Sequence, residues 1–180
     1  MGNFNQLYKL KQQNRNLKTI LSVGGWSYRD NFKTALATNA TRHRFAESSL
    51  QLIADLGLDG TWNARLKTQY ILADICSVGF DIDWEYPEDA TDAENLVKTL
   101  KLCRSVYDEY AEKNANGYHF ELDISAPAGP SHYTNLPIAK MDQYIDGYNL
   151  MAFDYQVIAQ CPVLLILSLH TDTEKGSRIL

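Results

Sequence analysis

Three acidic residues occupy alternate positions in one short apolar stretch: Asp81, Asp83 and Glu85 within Gly79-Phe80-Asp81-Ile82-Asp83-Trp84-Glu85-Tyr86-Pro87. In an extended strand, successive side chains point to opposite faces. The three carboxyl groups therefore line one face, about 7 Å apart, while Phe80, Ile82 and Trp84 line the other. A fully buried strand carries two apolar faces, and a surface strand carries one face of scattered polar groups. A row of like charges is neither. Mutual repulsion makes full ionisation of the row costly, so at least one pKa is pushed up. A carboxylic acid that keeps its proton near neutral pH can donate it to a leaving group. Pro87 cannot donate to a sheet ladder and ends the strand. Glu85 then stands at the carboxyl end, where parallel α/β folds place their chemistry. The same Asp-x-Asp-x-Glu pattern can hold Mg²⁺ or Mn²⁺, so a metal site is a rival reading.

The flanking sequence supplies elements able to position such a strand. Phe4, Leu7, Tyr8 and Leu10 follow helical spacing, with Lys9, Lys11 and Arg15 on the polar side. Residues 18–23 read as a strand ended sharply by Gly24-Gly25, small residues that let Trp26 and the backbone close on a cavity. A helix is expected from Asn39, its N-cap, to Leu56, with Phe45, Ser49, Leu52, Ile53 and Leu56 as its apolar stripe and Gly57 as its stop. Thr91-Asp92-Ala93-Glu94 reads as a capping box. The helix it opens carries Leu96, Val97, Leu100, Cys103, Tyr107 and Tyr110 on one face. Phe120, Leu122 and Ile124 alternate with Glu121, Asp123 and Ser125 in a further strand that ends at Ala126-Pro127. A short helix over 137–144 leads to a last strand over 147–155. Strands alternating with helices of this length predict parallel βα units.

Composition narrows the function. The chain has 180 residues, 45% of them hydrophobic and 22% charged, enough for one packed domain. A net charge of −5 argues against a nucleic-acid partner and suits a neutral substrate. Cys76, Cys103 and Cys161, like the four histidines, show neither metal nor disulfide spacing. No cofactor and no obligate protein partner is implied. Met1 opens no signal-peptide pattern, and the apolar run 163–167 is too short to span a bilayer.

Ser22-Val23-Gly24-Gly25, then Gly-Phe-Asp-Ile-Asp-Trp-Glu-Tyr-Pro, then Met151-Ala152-Phe153-Asp154 resemble three successive strand motifs of glycoside hydrolase family 18, the chitinases. Ala126-Pro127-Ala128-Gly129 is similar to the fungal-type members. The resemblance implies a (β/α)8 barrel, of which residues 1–156 cover about strands three to six. It also implies substrate-assisted, retaining hydrolysis of β-1,4-linked N-acetylglucosamine polymers. Glu85 takes the place of the general acid, Asp83 of the carboxylate that orients the acetamido group, and Asp81 of its deeper proton-sharing partner. Because the substrate's own carbonyl oxygen is the nucleophile, the usual second attacking carboxylate is not needed. Met151, Phe153 and Asp154 match residues lining the sugar site, and Trp26 and Tyr86 are candidates for stacking on sugar faces. Members that only bind chitin usually lack an acid at the Glu85 position, so Glu85 favours the enzyme over a lectin. Secretion is expected of a full-length member.

The sequence departs from the family in several places. Val78 replaces the aspartate expected before Gly79, while Asp59-Gly60 stands earlier. Deleting Thr61 through Gly79 gives Leu-Asp-Gly-Phe-Asp-Ile-Asp-Trp-Glu, the unbroken motif. Gly60-Thr61-Trp62 can be encoded GGT-ACG-TGG, containing a splice donor, and Val78-Gly79 as GTA-GGN, containing an acceptor. Residues 61–78 thus read as a translated intron, the rival being a real loop insertion. No counterpart in the family motifs is read for residues 157–180, so the resemblance is expected to stop after Tyr155 or Gln156. Phe153 replaces a tyrosine whose hydroxyl would meet the acetamido group. Four strands make half of a barrel, so the chain alone is expected to be an inactive fragment.

Overall fold

A computed structural model describes residues 17–55, 78–152 and 178–179, together with 6, 7, 9, 10, 13 and 14. The alternation read in the sequence becomes a parallel sheet in chain order: β1 (Thr19–Gly24), β2 (Val78–Asp83), β3 (Glu121–Pro127), β4 (Gly147–Met151) and β5 (Arg178–Ile179). Parallel pairing requires crossovers that return each chain end to the same edge. These carry α1 (Arg29–Ala35), α2 (Asn39–Asp55), α3 (Ala90–Asn114), and two single-turn helices, α4 (Pro130–Tyr133) and α5 (Ile138–Met141). β1 meets β2 with Ser22 opposite Asp81, and β2 meets β3 with Asp81 opposite Asp123. β3 meets β4 with Ser125 opposite Asn149.

One face of the sheet packs on helices. Phe80, Ile82, Leu122 and Ile124 are buried there beside Leu100, Cys103 and Tyr107 of α3. Trp84 stacks on Phe32 of α1 at 5.7 Å, and Phe120 collects Tyr107, Tyr110 and Tyr118 around its ring. The hydroxyls of Ser49 and Tyr107 bond each other at 2.7 Å between α2 and α3, which satisfies two polar groups inside this layer. Burial pushes the Cys103 thiol up to about 12, so it serves as a small apolar filler. Cys76 and Cys161 lie outside the described residues.

Several expectations shift. Residues 6, 7, 9, 10 and 13 are helical, but Leu7 and Leu10 are exposed; Phe4 and Tyr8 lie outside the described residues. Thr38, not Asn39, caps α2: its hydroxyl accepts from the Thr41 N–H at 3.2 Å. Leu52 falls off the buried stripe and is exposed, while Leu56 and Gly57 lie outside the described residues. Asp89 caps α3 two residues ahead of the expected box, accepting from the N–H groups of Thr91 at 2.8 Å and Asp92 at 2.9 Å. The Asp92 carboxylate in turn accepts from the Glu88 N–H. An aspartate reaches these donors as well as a threonine does, so the earlier acidic residue takes the cap. β2 begins one residue earlier than expected, with Val78 opposite Thr19. α1 and β5 had no counterpart in the sequence reading. The last strand is described as far as Met151, and 153–155 lie outside.

At the amino-terminal ends of β3 and β4, one arginine ties three segments together. Arg104 of α3 donates to the carbonyls of Phe120 at 2.7 Å and Tyr144 at 3.0 Å and to Asp146 at 2.5 Å. Asp146 also accepts from the Leu122 N–H at 2.8 Å. Arg104→Ala strands these acceptors and an aspartate, and is expected to cost roughly 3 kcal/mol. Arg104→Lys is expected to recover little, because one ammonium cannot span three acceptors. A urea midpoint unchanged in Arg104→Ala would contradict this role.

Candidate active site

The inner face of the sheet is built from the other half of each strand's alternation. At its centre lies Asp81, only 2% exposed. Ser22 of β1 donates to Asp81 Oδ2 at 2.6 Å, and Ser125 of β3 to the same oxygen at 2.9 Å. Asn149 of β4 donates to Asp81 Oδ1 at 3.0 Å. Four strands thus converge on one carboxyl group, which keeps the cost of burying it low.

Asp83 sits one inner-face position closer to the strand end and is half-buried. Its backbone is clasped by the Gly24-Gly25 turn: the Gly25 N–H donates to the Asp83 carbonyl at 2.9 Å. A Cβ on Gly24 would lie 2.0 Å from that carbonyl oxygen, so only glycine permits the approach. Asp83 Oδ1 is buried and has no hydrogen-bond partner among the described residues. Burial, then the charges of Glu85 and Asp81, raise the Asp83 pKa, with Ser125 working in the opposite sense. Repulsion along the row, which the spacing predicts, adds to the larger effect of burial. Glu85 follows, half-buried just past the end of β2, and the peptide bond it forms with Tyr86 is cis.

The expected aromatics stand at the rim. Trp26 is 59% exposed, with the Arg29 guanidinium 4.4 Å above its ring. The half-buried Tyr86 ring stacks on His132 of α4 at 4.4 Å. Met151 is half-buried at the end of β4, opposite Pro127. Gly79 has a packing reason to be glycine, since a Cβ there would meet the Glu121 carbonyl oxygen at 2.6 Å. Phe153 and Asp154 lie outside the described residues. Among those described, no group of three or more His, Cys, Asp or Glu could hold a metal ion, and no helix is long and apolar enough to cross a membrane.

Sequence reasoning missed Ser125, Asn149 and Asp123. All three lie on inner-face positions of strands that were recognised, so alternation alone marks them as interior. Their meeting with Asp81 depends on register across strands. Asp123 is 4% exposed. Burial first, then Glu121, Asp146 and Asp81, push it up to about 7 against the opposing Lys18. In an unfolded chain an aspartate titrates near about 3.9. Between these limits the folded chain holds a proton that the unfolded chain has lost. Proton uptake thus favours the fold, and that contribution is complete below about 3.9 and lost as pH rises through about 7. Stability is expected to fall as pH rises across this window, and Asp123→Asn to flatten the slope. Urea midpoints at several pH values, with equal slopes in both proteins, would contradict this.

A parallel βα sheet with an acidic row rising to its carboxyl edge defines a barrel-type α/β enzyme site. The sequence pattern described as Glycosyl hydrolases family 18 matches residues 1–173, and the chain belongs to that family. It is 45% identical over 154 residues to Chitinase 1 of Aphanocladium album, covering 86% of this chain and 32% of that protein. It is 33% identical to Chitinase A1 of Niallia circulans, covering 86% of this chain and 20% of the relative. Among solved structures, a glycoside hydrolase family 18 N-acetylglucosaminidase from Paenibacillus barengoltzii superposes with a TM-score of 0.68 at 30% identity, over 85% of this chain and 41% of that one. A class V chitinase from Nicotiana tobaccum, solved in complex with NAG4, superposes with a TM-score of 0.66 at 25% identity, over 84% of this chain and 38% of that one. The described sheet is accordingly part of a (β/α)8 barrel. The chain spans about a third of the length of the fungal relatives it matches.

Proposed function

We propose that the protein is a chitinase, hydrolysing β-1,4-linked N-acetylglucosamine polymers with retention at the anomeric carbon. The observation that carries this reading is Asp83, a carboxyl with a raised pKa and a buried, unpartnered oxygen, set between Asp81 and Glu85. Glu85 gives its proton to the glycosidic oxygen as the bond to the anomeric carbon breaks. The carbonyl oxygen of the substrate's own acetamido group attacks that carbon from the other side and forms an oxazolinium ion. The Asp83 carboxylate accepts from the acetamido N–H, which aligns the carbonyl and offsets the positive charge as it develops. Asp81 shares a proton with Asp83 and stays anchored by Ser22, Ser125 and Asn149. Water then attacks the anomeric carbon, Glu85 takes back a proton, and double inversion restores the configuration. Trp26 and Tyr86 present ring faces on which sugars can stack, and the family resemblance assigns Met151, Phe153 and Asp154 to the lining of the sugar site.

Glu85→Gln in the longest expressed form of the protein keeps the shape and removes the acid. Turnover of a chitin oligosaccharide is expected to fall by ~10²–10⁴-fold, and unchanged turnover would rule out Glu85 as the acid. Added EDTA is expected to leave the rate unaltered; a loss would favour the metal reading of the same carboxylates.

A second proposal concerns the chain's continuity: residues 61–78 are a translated intron rather than a loop of the barrel. The sequence supports it by restoring an unbroken strand motif when Thr61 to Gly79 are removed. Sequencing of the mature transcript is expected to show Gly60 joined directly to Phe80. A transcript that retains the intervening codons would identify a real insertion.

A further inference from the structure

The acidic row on β2 has a fourth carboxyl beside it that the hydrolytic scheme does not use. Asp123 is the register partner of Asp81 on the neighbouring strand, so the two share the inner face at adjacent positions. Hydrogen-bonded parallel strands lie about 4.8 Å apart, which leaves no room for bulk water between such neighbours. Ser125, two residues further along β3, donates to Asp81, so β3 supports Asp81 and crowds it at once. The groups that face Asp123 come from every adjoining element: Asp81 on β2, Glu121 on its own strand, Asp146 ahead of β4, and Lys18 ahead of β1. The one cation among them is engaged elsewhere, since Lys18 pairs with Glu121. Asp146 is likewise bound to Arg104 and His119. A nearly buried carboxyl hemmed in by three others, with no cation of its own, is neutral at lowest cost.

We propose that Asp123 is a positioning residue for the reaction, neutral beside the Asp81 carboxyl so that the interior carries one negative charge fewer and Asp83 keeps its working protonation state. When the Asp123 proton leaves to solvent, a new negative charge appears beside Asp81. Asp83, the next carboxyl along the row, then binds a proton more tightly. A proton held on Asp83 opposes its pairing with the positive charge that develops on the acetamido group, and turnover drops on the alkaline side. The catalytic consequence rests on the chitinase reading; the proton coupling itself does not.

The test is a carbon-13 carboxyl NMR titration of the 180-residue chain, wild type and Asp123→Asn, paired with pH–rate profiles of the longest expressed form on a chitin oligosaccharide. Asp123 is expected to titrate near neutrality, and the Asp83 resonance to carry a second step at the Asp123 midpoint, as coupled sites do. In Asp123→Asn the second step in the Asp83 curve is expected to vanish, while the part of that curve below the Asp123 midpoint is kept, because asparagine and a protonated aspartate carry the same charge. The alkaline limb of the rate profile should move to higher pH, while the rate at mildly acidic pH is kept. Ordinary carboxylate titration of Asp123, a single-step Asp83 curve in the wild type, or no ordered site around Asp81 would each overturn the proposal. If Asp123→Asn does not fold, the wild-type curves decide alone. Coupled titration without hydrolysis at any pH would uphold the proton coupling and reject the chitinase reading.

Discussion

The buried carboxyl of Asp81 is the constraint on which this sheet depends. An aspartate at 2% exposure survives only if its oxygens are satisfied. Its three donors come from three other strands of the sheet, Ser22 on β1, Ser125 on β3 and Asn149 on β4. Each strand's register is therefore coupled to the others through a single side chain. A slip of one residue in any strand would turn its donor to the helical face and leave Asp81 short of a partner. The same anchor fixes the height of Asp83 and Glu85 above it, because the three residues share one strand. The placement of the acidic row and the register of the strands are one requirement here.

The two faces of the sheet answer different demands. Outward, Phe80, Ile82, Leu122 and Ile124 bury apolar area against α3, and the polar groups that intrude there pair with each other, as Ser49 does with Tyr107. Inward, polar and acidic groups stand close together, and their pKa values move with burial and with one another: Asp83 upward and Asp123 to about 7. The glycines serve the close approaches that this inner arrangement needs, at Gly24 against the Asp83 carbonyl and at Gly79 against Glu121. Arg104 and Asp146 fasten the opposite end of β3 and β4, so the carboxyl edge is held from below.

The sequence by itself determined the strand order, the parallel βα pattern and the acidic row, because alternation and helical spacing are local periodicities that a single chain displays. It also marked Ser22, Gly24, Gly25 and Gly79 as special, and assigned Asp81, Asp83 and Glu85 to one face. Helix starts were less legible. Thr38 and Asp89 took the caps in place of Asn39 and Thr91, since several nearby side chains can accept the same backbone donors. The tertiary structure alone decided which inner-face residues meet. Ser125, Asn149 and Asp123 lie 44, 68 and 42 positions from Asp81, and nothing in their own surroundings distinguishes them from ordinary strand residues. Their partnership comes from register between strands, and register is set by the packing of whole elements. The elevated pKa of Asp123 arises in the same way, from burial among charges that the chain brings together only when it folds.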